Sequence, residues 1–332
     1  NWNTVKDAAF LGELLEKGFN VRFSQKDFTV EGKTFNKGAL VIMKGENKHL
    51  QNFNETVLKI AAANSQNLQT TETGFSDAGP DFGSDYMKLI KPKKVAVLGG
   101  KGTSSLSFGE IWHFFETELQ YPLTIINSDY FGDSDFSNYD VIILPNGYYN
   151  RILNKSTLNK LTKWTNSGGT LIAIGNALHS FADQKGFALT KKKANNSDDK
   201  SPNLTPYADQ ERKSVQNLIT GAIFKSKVDN THPLGFGYDN AYFSLKLGST
   251  SFNYLKDGVN VAYFNKTTKN ISGYAGSKAI ENIPESLLFG EEQKGSGSII
   301  YMVDNPLFRS FWDNGKLFLA NAVFLLNSDK LK

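Results

Sequence analysis

Thr170-Leu-Ile-Ala-Ile-Gly-Asn-Ala-Leu-His-Ser-Phe181 predicts a buried strand, a sharp turn and a helix, with Gly175 at the bend. A strand that breaks abruptly into a helix can lift a Ser or Cys side chain above a sheet, where a base and backbone donors reach it. Glycine offers no side chain to attack with. The 332 residues contain no Cys, so thiol chemistry is excluded throughout the chain. The scaffold has the form of an enzyme's, and the nucleophile position is empty.

Other residues able to bind or polarise a ligand gather where strands are expected to end, which is where open α/β sheets take their ligands. Asn146 and Gly147 form a turn with Pro145, and Tyr148 and Tyr149 follow it. Asn176 and His179 follow the bend, and Glu110 lies one turn into a helix. These residues suit an aromatic, hydrogen-bonding cleft and do not make a catalytic set. Gly99-Gly-Lys-Gly-Thr-Ser-Ser105 joins a strand to a helix, and its backbone amides could hold an anion. It lacks the third Gly of the dinucleotide fingerprint and the Gly-Lys-Ser/Thr of the phosphate loop, so a tight turn is the reading preferred. His49 and His232 are expected to be structural, and Arg309, among Phe308, Phe311 and Trp312, to stack on rings or pair with a carboxylate.

The elements that must position these residues are largely legible. Val95–Leu98, Leu123–Ile126, Val141–Leu144 and Thr170–Ile174 are continuous apolar runs of the kind found in central parallel strands. Helices at Ser107–Leu119 and Lys155–Ser167 serve as crossovers. Further strands are expected at Tyr242–Leu245, Val259–Phe264 and Ser298–Val303, with a final apolar helix at Leu317–Leu326. Residues 1–90 form a small α/β unit: a helix from Thr4 to Leu15, strands at Asn20–Phe23, Phe28–Val30, Ala39–Met43 and Leu68–Thr70, and a helix at Phe53–Ala63. A Gly/Asp/Ser-rich stretch, Thr73–Ser84, separates it from a second domain spanning 91–332. Gln184–Gln210 is polar and is expected to be a long insertion.

Composition narrows the classes. At 39% hydrophobic, with 25 Phe and 13 Tyr, the chain is a folded one rich in aromatics. A net charge of +4, mostly interspersed apart from Lys191-Lys192-Lys193, is too small for a nucleic-acid footprint. No apolar run reaches the roughly 18 residues of a membrane span. The start at Asn1, without Met and almost directly in a helix, suggests a piece of a longer protein.

Residues 94–326 resemble a degenerate class I glutamine amidotransferase-like domain. Val141-Ile-Ile-Leu-Pro-Asn-Gly147 looks like the family's strand ending in an oxyanion turn, and Gly169–Ala177 like the strand into the elbow, with Gly175 where the nucleophilic Cys belongs. Ile299-Ile-Tyr-Met-Val-Asp-Asn-Pro306 resembles the strand that delivers the family's His-Pro-Glu, and Asp304, Asn305 and Pro306 stand there without a His. Asp304 thereby joins the cleft.

A narrower resemblance runs through almost the whole chain. Gly18–Arg22, Phe28–Ile42, Asp81–Ser84, Lys93–Leu98, Phe108–Trp112, Asp304–Trp312 and Phe318–Ala322 look like the region that follows the peptidase domain in large bacterial zinc carboxypeptidases. That family's zinc site uses His-x-x-Glu and a distant His. His113 with Glu116 is the one formal match, and Trp112, Phe114 and Phe115 around it argue for helix packing instead.

The sequence therefore predicts an α/β fold: a small α/β domain, then a flavodoxin-like, amidotransferase-like parallel sheet with extra strands. The resemblance implies a non-catalytic accessory region whose parent removes carboxy-terminal residues from peptides, with zinc held by the upstream peptidase domain of the same polypeptide. It also implies a secreted or periplasmic protein. No cofactor or metal is expected in this region, nor a nucleic-acid partner. The alternative is a carbohydrate- or cell-wall-binding module, and a residual hydrolase with an unrecognised nucleophile has least support.

Overall fold

The computed structural model describes residues 1–193 and 205–326. Helix α1 (Val5–Glu16) begins at a capping box in which the Asp7 carboxylate accepts the Thr4 N–H at 2.8 Å and satisfies a donor the helix leaves over. Strand β1 (Val21–Ser24) is followed by a hairpin of β2 (Phe28–Val30) and β3 (Lys33–Phe35), then by β4 (Leu40–Val41), α2 (Phe53–Ala63) and β5 (Met87–Ile90). The order β4-β1-β5 makes a small antiparallel sheet. Leu68–Thr70 is not a strand. Besides β4, β1 pairs with β5, whose sequence Met-Lys-Leu-Ile alternates too little to stand out.

The second part begins with β6 (Val95–Gly99) and α3 (Ser105–His113). The helix runs on as a π-helical segment, Phe114–Leu119. Next come β7 (Leu123–Asn127), β8 (Val141–Leu144), α4 (Lys155–Asn166) and β9 (Thr170–Ile174). Beyond the bend lie α5 (Tyr207–Val215), β10 (Ile219–Val228), β11 (Ala241–Lys246), β12 (Val259–Phe264), β13 (Asn270–Ala275), α6 (Ser277–Ile280), β14 (Ser286–Lys294), β15 (Gly297–Met302) and α7 (Asp313–Phe324).

Among the described residues these strands form one ten-stranded sheet. Its path is β11-β10-β12-β14-β15-β9-β8-β6-β7, with β13 also on β10. The five strands β6, β7, β8, β9 and β15 pair in parallel. Numbered by their own chain order they run 2-1-3-4-5, the flavodoxin-like doubly wound arrangement, and the others extend the sheet antiparallel. The α/β class and the extra strands expected from the sequence are both present.

Three expectations need correcting. Strand β7 is an edge, although its apolar run suggested a central position. The expected helix after Gly175 is a short 3-10 helix, Gly175–Ser180. Strands β10, β13 and β14 were not foreseen, β14 because Glu291 and Glu292 interrupt its apolar pattern yet are both buried. Of the expected insertion, residues 194–204 lie outside the described residues. Helices α3 and α7 cover one face of the sheet with α1, and α4 covers the other. Helix α7 is buried on nearly every side from Gly315 to Phe324.

Candidate functional site

The order reversal between β6 and β8 puts a crevice at their carboxyl ends, and two loops close it by bonding to each other. The Ser104 N–H donates to the Asn146 carbonyl at 2.9 Å, and the Tyr148 N–H to the Gly102 carbonyl at 2.8 Å. The Asn146 N–H is held by Ser107 Oγ at 3.0 Å. A Cβ on Gly147 would stand 2.4 Å from the Gly102 carbonyl oxygen, which is why this turn needs glycine. Tyr149 is fully buried, with its hydroxyl on the Pro145 carbonyl at 2.9 Å, and burial pushes its pKa up to about 12. The Thr103 and Ser104 amides of the Gly99–Ser105 loop are spent on the Gly100 and Asn146 carbonyls, in keeping with the tight-turn reading.

The bend beyond β9 abuts this crevice. Gly175 has φ +60°, a left-handed conformation that side chains strain to adopt. A Cβ there would lie 2.7 Å from Asn146 Oδ1. The same oxygen accepts the Asn176 N–H at 2.8 Å. In an α/β-hydrolase elbow, the N–H after the nucleophile is the donor that steadies the oxyanion. Here a carboxamide occupies that donor and fills the space a nucleophile would need.

Glu110 is one turn beyond Ser107 on α3 and is 7% exposed. Asn305 Nδ2 donates to its carboxylate, and the Arg309 backbone adds a second bond. Burial raises its pKa above the ordinary 4.5, against the smaller pull of these donors and of the Arg309 charge. Arg309 and Ser310 have φ of 52° and 58°, so Glu110 anchors a strained turn to α3.

The remaining cleft candidates diverge. Asp304 turns to β11, where it meets Lys246 Nζ at 2.9 Å and Ser244 Oγ at 2.6 Å. Lys246, with a side chain 2% exposed, was missed because β11 is inverted: Tyr242, Ser244 and Lys246 face inward while Phe243 is exposed. His179 packs against Phe252 with ring centroids 5.7 Å apart, and its pKa is lowered by burial and then by Lys191. Tyr148 is exposed. The structure therefore brings together Asn146, Gly147, Gly175 and Asn176 and links Glu110 to them through α3, while the side chain of His179 packs on Phe252, that of Tyr148 is exposed and that of Asp304 pairs with Lys246.

The His-x-x-Glu pair does not converge. Glu116 accepts from Trp112 Nε1, whereas His113 Nδ1 is 3.4 Å from Glu118. Among the described residues no group of three or more His, Asp or Glu side chains is placed to hold a metal ion. His232 accepts the Leu234 N–H through Nδ1 at 3.2 Å and lies 2.8 Å from Glu291 through Nε2. With Nδ1 accepting, the proton of the neutral ring sits on Nε2 and is donated to Glu291. Burial raises the Glu291 pKa, and hydrogen bonds led by that of His232, with those of Ser298 and Gln293, outweigh it to give a net lowering. Ser298 Oγ donates to the same carboxylate. The acid, rather than the imidazole, is thus central, which is not the order of a nucleophilic triad.

No family model and no curated protein matches the chain. Solved structures give distant likenesses. A ThuA-like protein from Bacteroides uniformis is similar at 13% identity and TM-score 0.41, over 69% of this chain and 89% of that one. A GMP synthase component from Thermoplasma acidophilum is similar at 12% and 0.42, over 70% and 92%. A glutamine amidotransferase from Thermotoga maritima is similar at 8% and 0.41, over 72% and 99%. At these scores the likenesses carry no argument of their own, and the fold assignment stands on the strand order.

Proposed function

We propose that this chain is a non-catalytic accessory region of a zinc metallocarboxypeptidase-like protein, in which an amidotransferase-like domain has lost its chemistry. One observation supports the absence of chemistry: the Asn146 carboxamide occupies both the space over Gly175 and the Asn176 N–H. Adding a nucleophile would not restore the site, because the oxyanion donor is already bonded. The parent is inferred from the sequence motifs between Gly18 and Ala322. On this reading the reaction, removal of carboxy-terminal residues from peptides by a zinc-activated water, belongs to an upstream peptidase domain. This region supports that domain or its substrate outside the cytoplasm.

A carbohydrate- or cell-wall-binding module is the second reading. It is favoured by the exposed rings of Tyr130, Tyr148 and Phe311 on loops that follow β7, β8 and β15.

The test is peptide mapping by mass spectrometry of the native polypeptide. A His-x-x-Glu segment with a distant His upstream of Asn1 is the expected result. A native chain without such a domain would overturn the peptidase reading, and glycan-array binding by the purified chain would then favour the second. Assays of the chain itself should show no zinc-dependent peptidase turnover, and turnover abolished by a chelator would contradict the accessory role.

A further inference from the structure

Strand β7 closes the sheet at the β6 side, and among the described residues β6 is its one strand partner. Natural edges are blunted by charge, proline, bulges or a covering segment. Leu-Thr-Ile-Ile-Asn carries no charge or proline, and its pairing with β6 is unbroken over five residues. At the opposite edge, Asn314 Nδ2 bonds the Phe243 carbonyl of β11 at 2.7 Å.

Beside β7 is a groove of about 350 Å³ lined by Trp112, Glu116, Gln120, Tyr121, Pro122, Leu123 and Ile125. Trp112 is 42% and Ile125 45% exposed, large values for such apolar side chains. Glu116 is the one charged residue in the lining, and its bond to Trp112 Nε1 fixes the indole at the groove wall while leaving its second carboxylate oxygen available.

We infer that this edge binds an extended peptide segment, which adds a strand to β7 and places one apolar and one cationic side chain in the groove. An added strand would satisfy the outer backbone groups of β7, and its alternate side chains would fall on the α3 face, where the groove lies. The apolar side chain packs on Trp112 and Ile125, and the cation meets Glu116. The occupant is a basic-apolar strand rather than an acidic one because a second carboxylate beside Glu116 would be repelled. The inference rests on the groove and the edge alone and is independent of the peptidase reading.

Fluorescence anisotropy with three labelled probes tests it: Thr-Val-Thr-Lys-Thr-Val-Thr, the same peptide with Glu for Lys, and the Lys peptide N-methylated at alternate residues. The Lys peptide should bind the intact chain, about fivefold more tightly than the Glu peptide, a margin typical of one exposed ion pair. The N-methylated peptide should not bind, because it cannot complete the ladder. I125K should abolish binding, and E116Q should remove the preference for Lys while leaving binding measurable. Both positions are exposed enough for the variants to fold, as circular dichroism should confirm. Failure of the Lys peptide to bind at millimolar concentration, or equal binding of the N-methylated one, would overturn the inference. So would a concentration-dependent dimer in sedimentation that I125K dissolves, since a second copy would then own the edge.

Discussion

Gly175 and Asn146 show how a single side chain can fill a bend. The backbone makes the bend at φ +60°, and the carboxamide of Asn146 fills the space over it and accepts the Asn176 N–H. Gly175→Ser should therefore give no hydrolase activity against acyl esters and should lower stability by about 1–3 kcal/mol, the cost of a strained conformation, as read by urea denaturation. Glu110 adds a pH signature. Its folded pKa is raised above the ordinary 4.5, mainly by burial, so its stabilising contribution is complete below that value and fades as the pH rises through the folded pKa. Glu110→Gln should flatten the loss of thermal stability on going from mildly acidic to neutral pH, and an unchanged melting-temperature profile would refute the assignment. Asp304 and Lys246 are a buried pair with Ser244 as third member. Lys246→Met leaves an unpaired buried carboxylate and should cost about 3–5 kcal/mol in denaturant titration.

At the scale of elements, α7 ties the parts together through Asn321. Its carboxamide accepts from Trp2 Nε1 at 2.6 Å and donates to the carbonyls of Leu234 and Phe236 at 2.9 and 2.8 Å. It thus joins the amino-terminal segment, the turn after β10 and the final helix. Asn321→Leu would leave the indole N–H and two carbonyls unpaired in the core. Each such group costs about 1–3 kcal/mol, so the variant should melt far lower or fail to fold. The π-helical segment is a comparable device: Glu118 meets Lys316 of α7 at 2.9 Å, and Lys316 stays charged despite burial because Asp313 and Glu118 raise its pKa.

For the whole molecule, one core runs from α1 and the small sheet through α3, α7 and the large sheet. Trp2, Phe10 and Leu14 share it with Ile143, Ile172 and Phe318. The amino-terminal segment is consequently part of what stabilises the sheet face beneath α7. Removing residues 1–4 should lower the melting temperature of the whole chain in one transition, because Trp2 is fully buried and its loss opens a cavity. A separate low-temperature transition, seen by calorimetry, would show instead that the small sheet melts alone.

The apolar runs at β6, β8, β9 and β15 announced a parallel sheet, because strands buried on both faces must be continuously apolar. Gly175 likewise announced a bend that carries no side chain, since residue type alone decides whether an attacking atom exists. The sequence did not rank β7 as an edge: its composition matches that of the central strands, and only strand order decides which lies outermost. Nor did it show that Asp304 leaves the cleft, because its partner Lys246 is far away in sequence on a strand whose polar residues face inward. Tertiary structure alone brought Asn146 against Asn176. Two loops separated by a strand and a helix meet there because the order of β6, β8 and β9 sets their ends side by side.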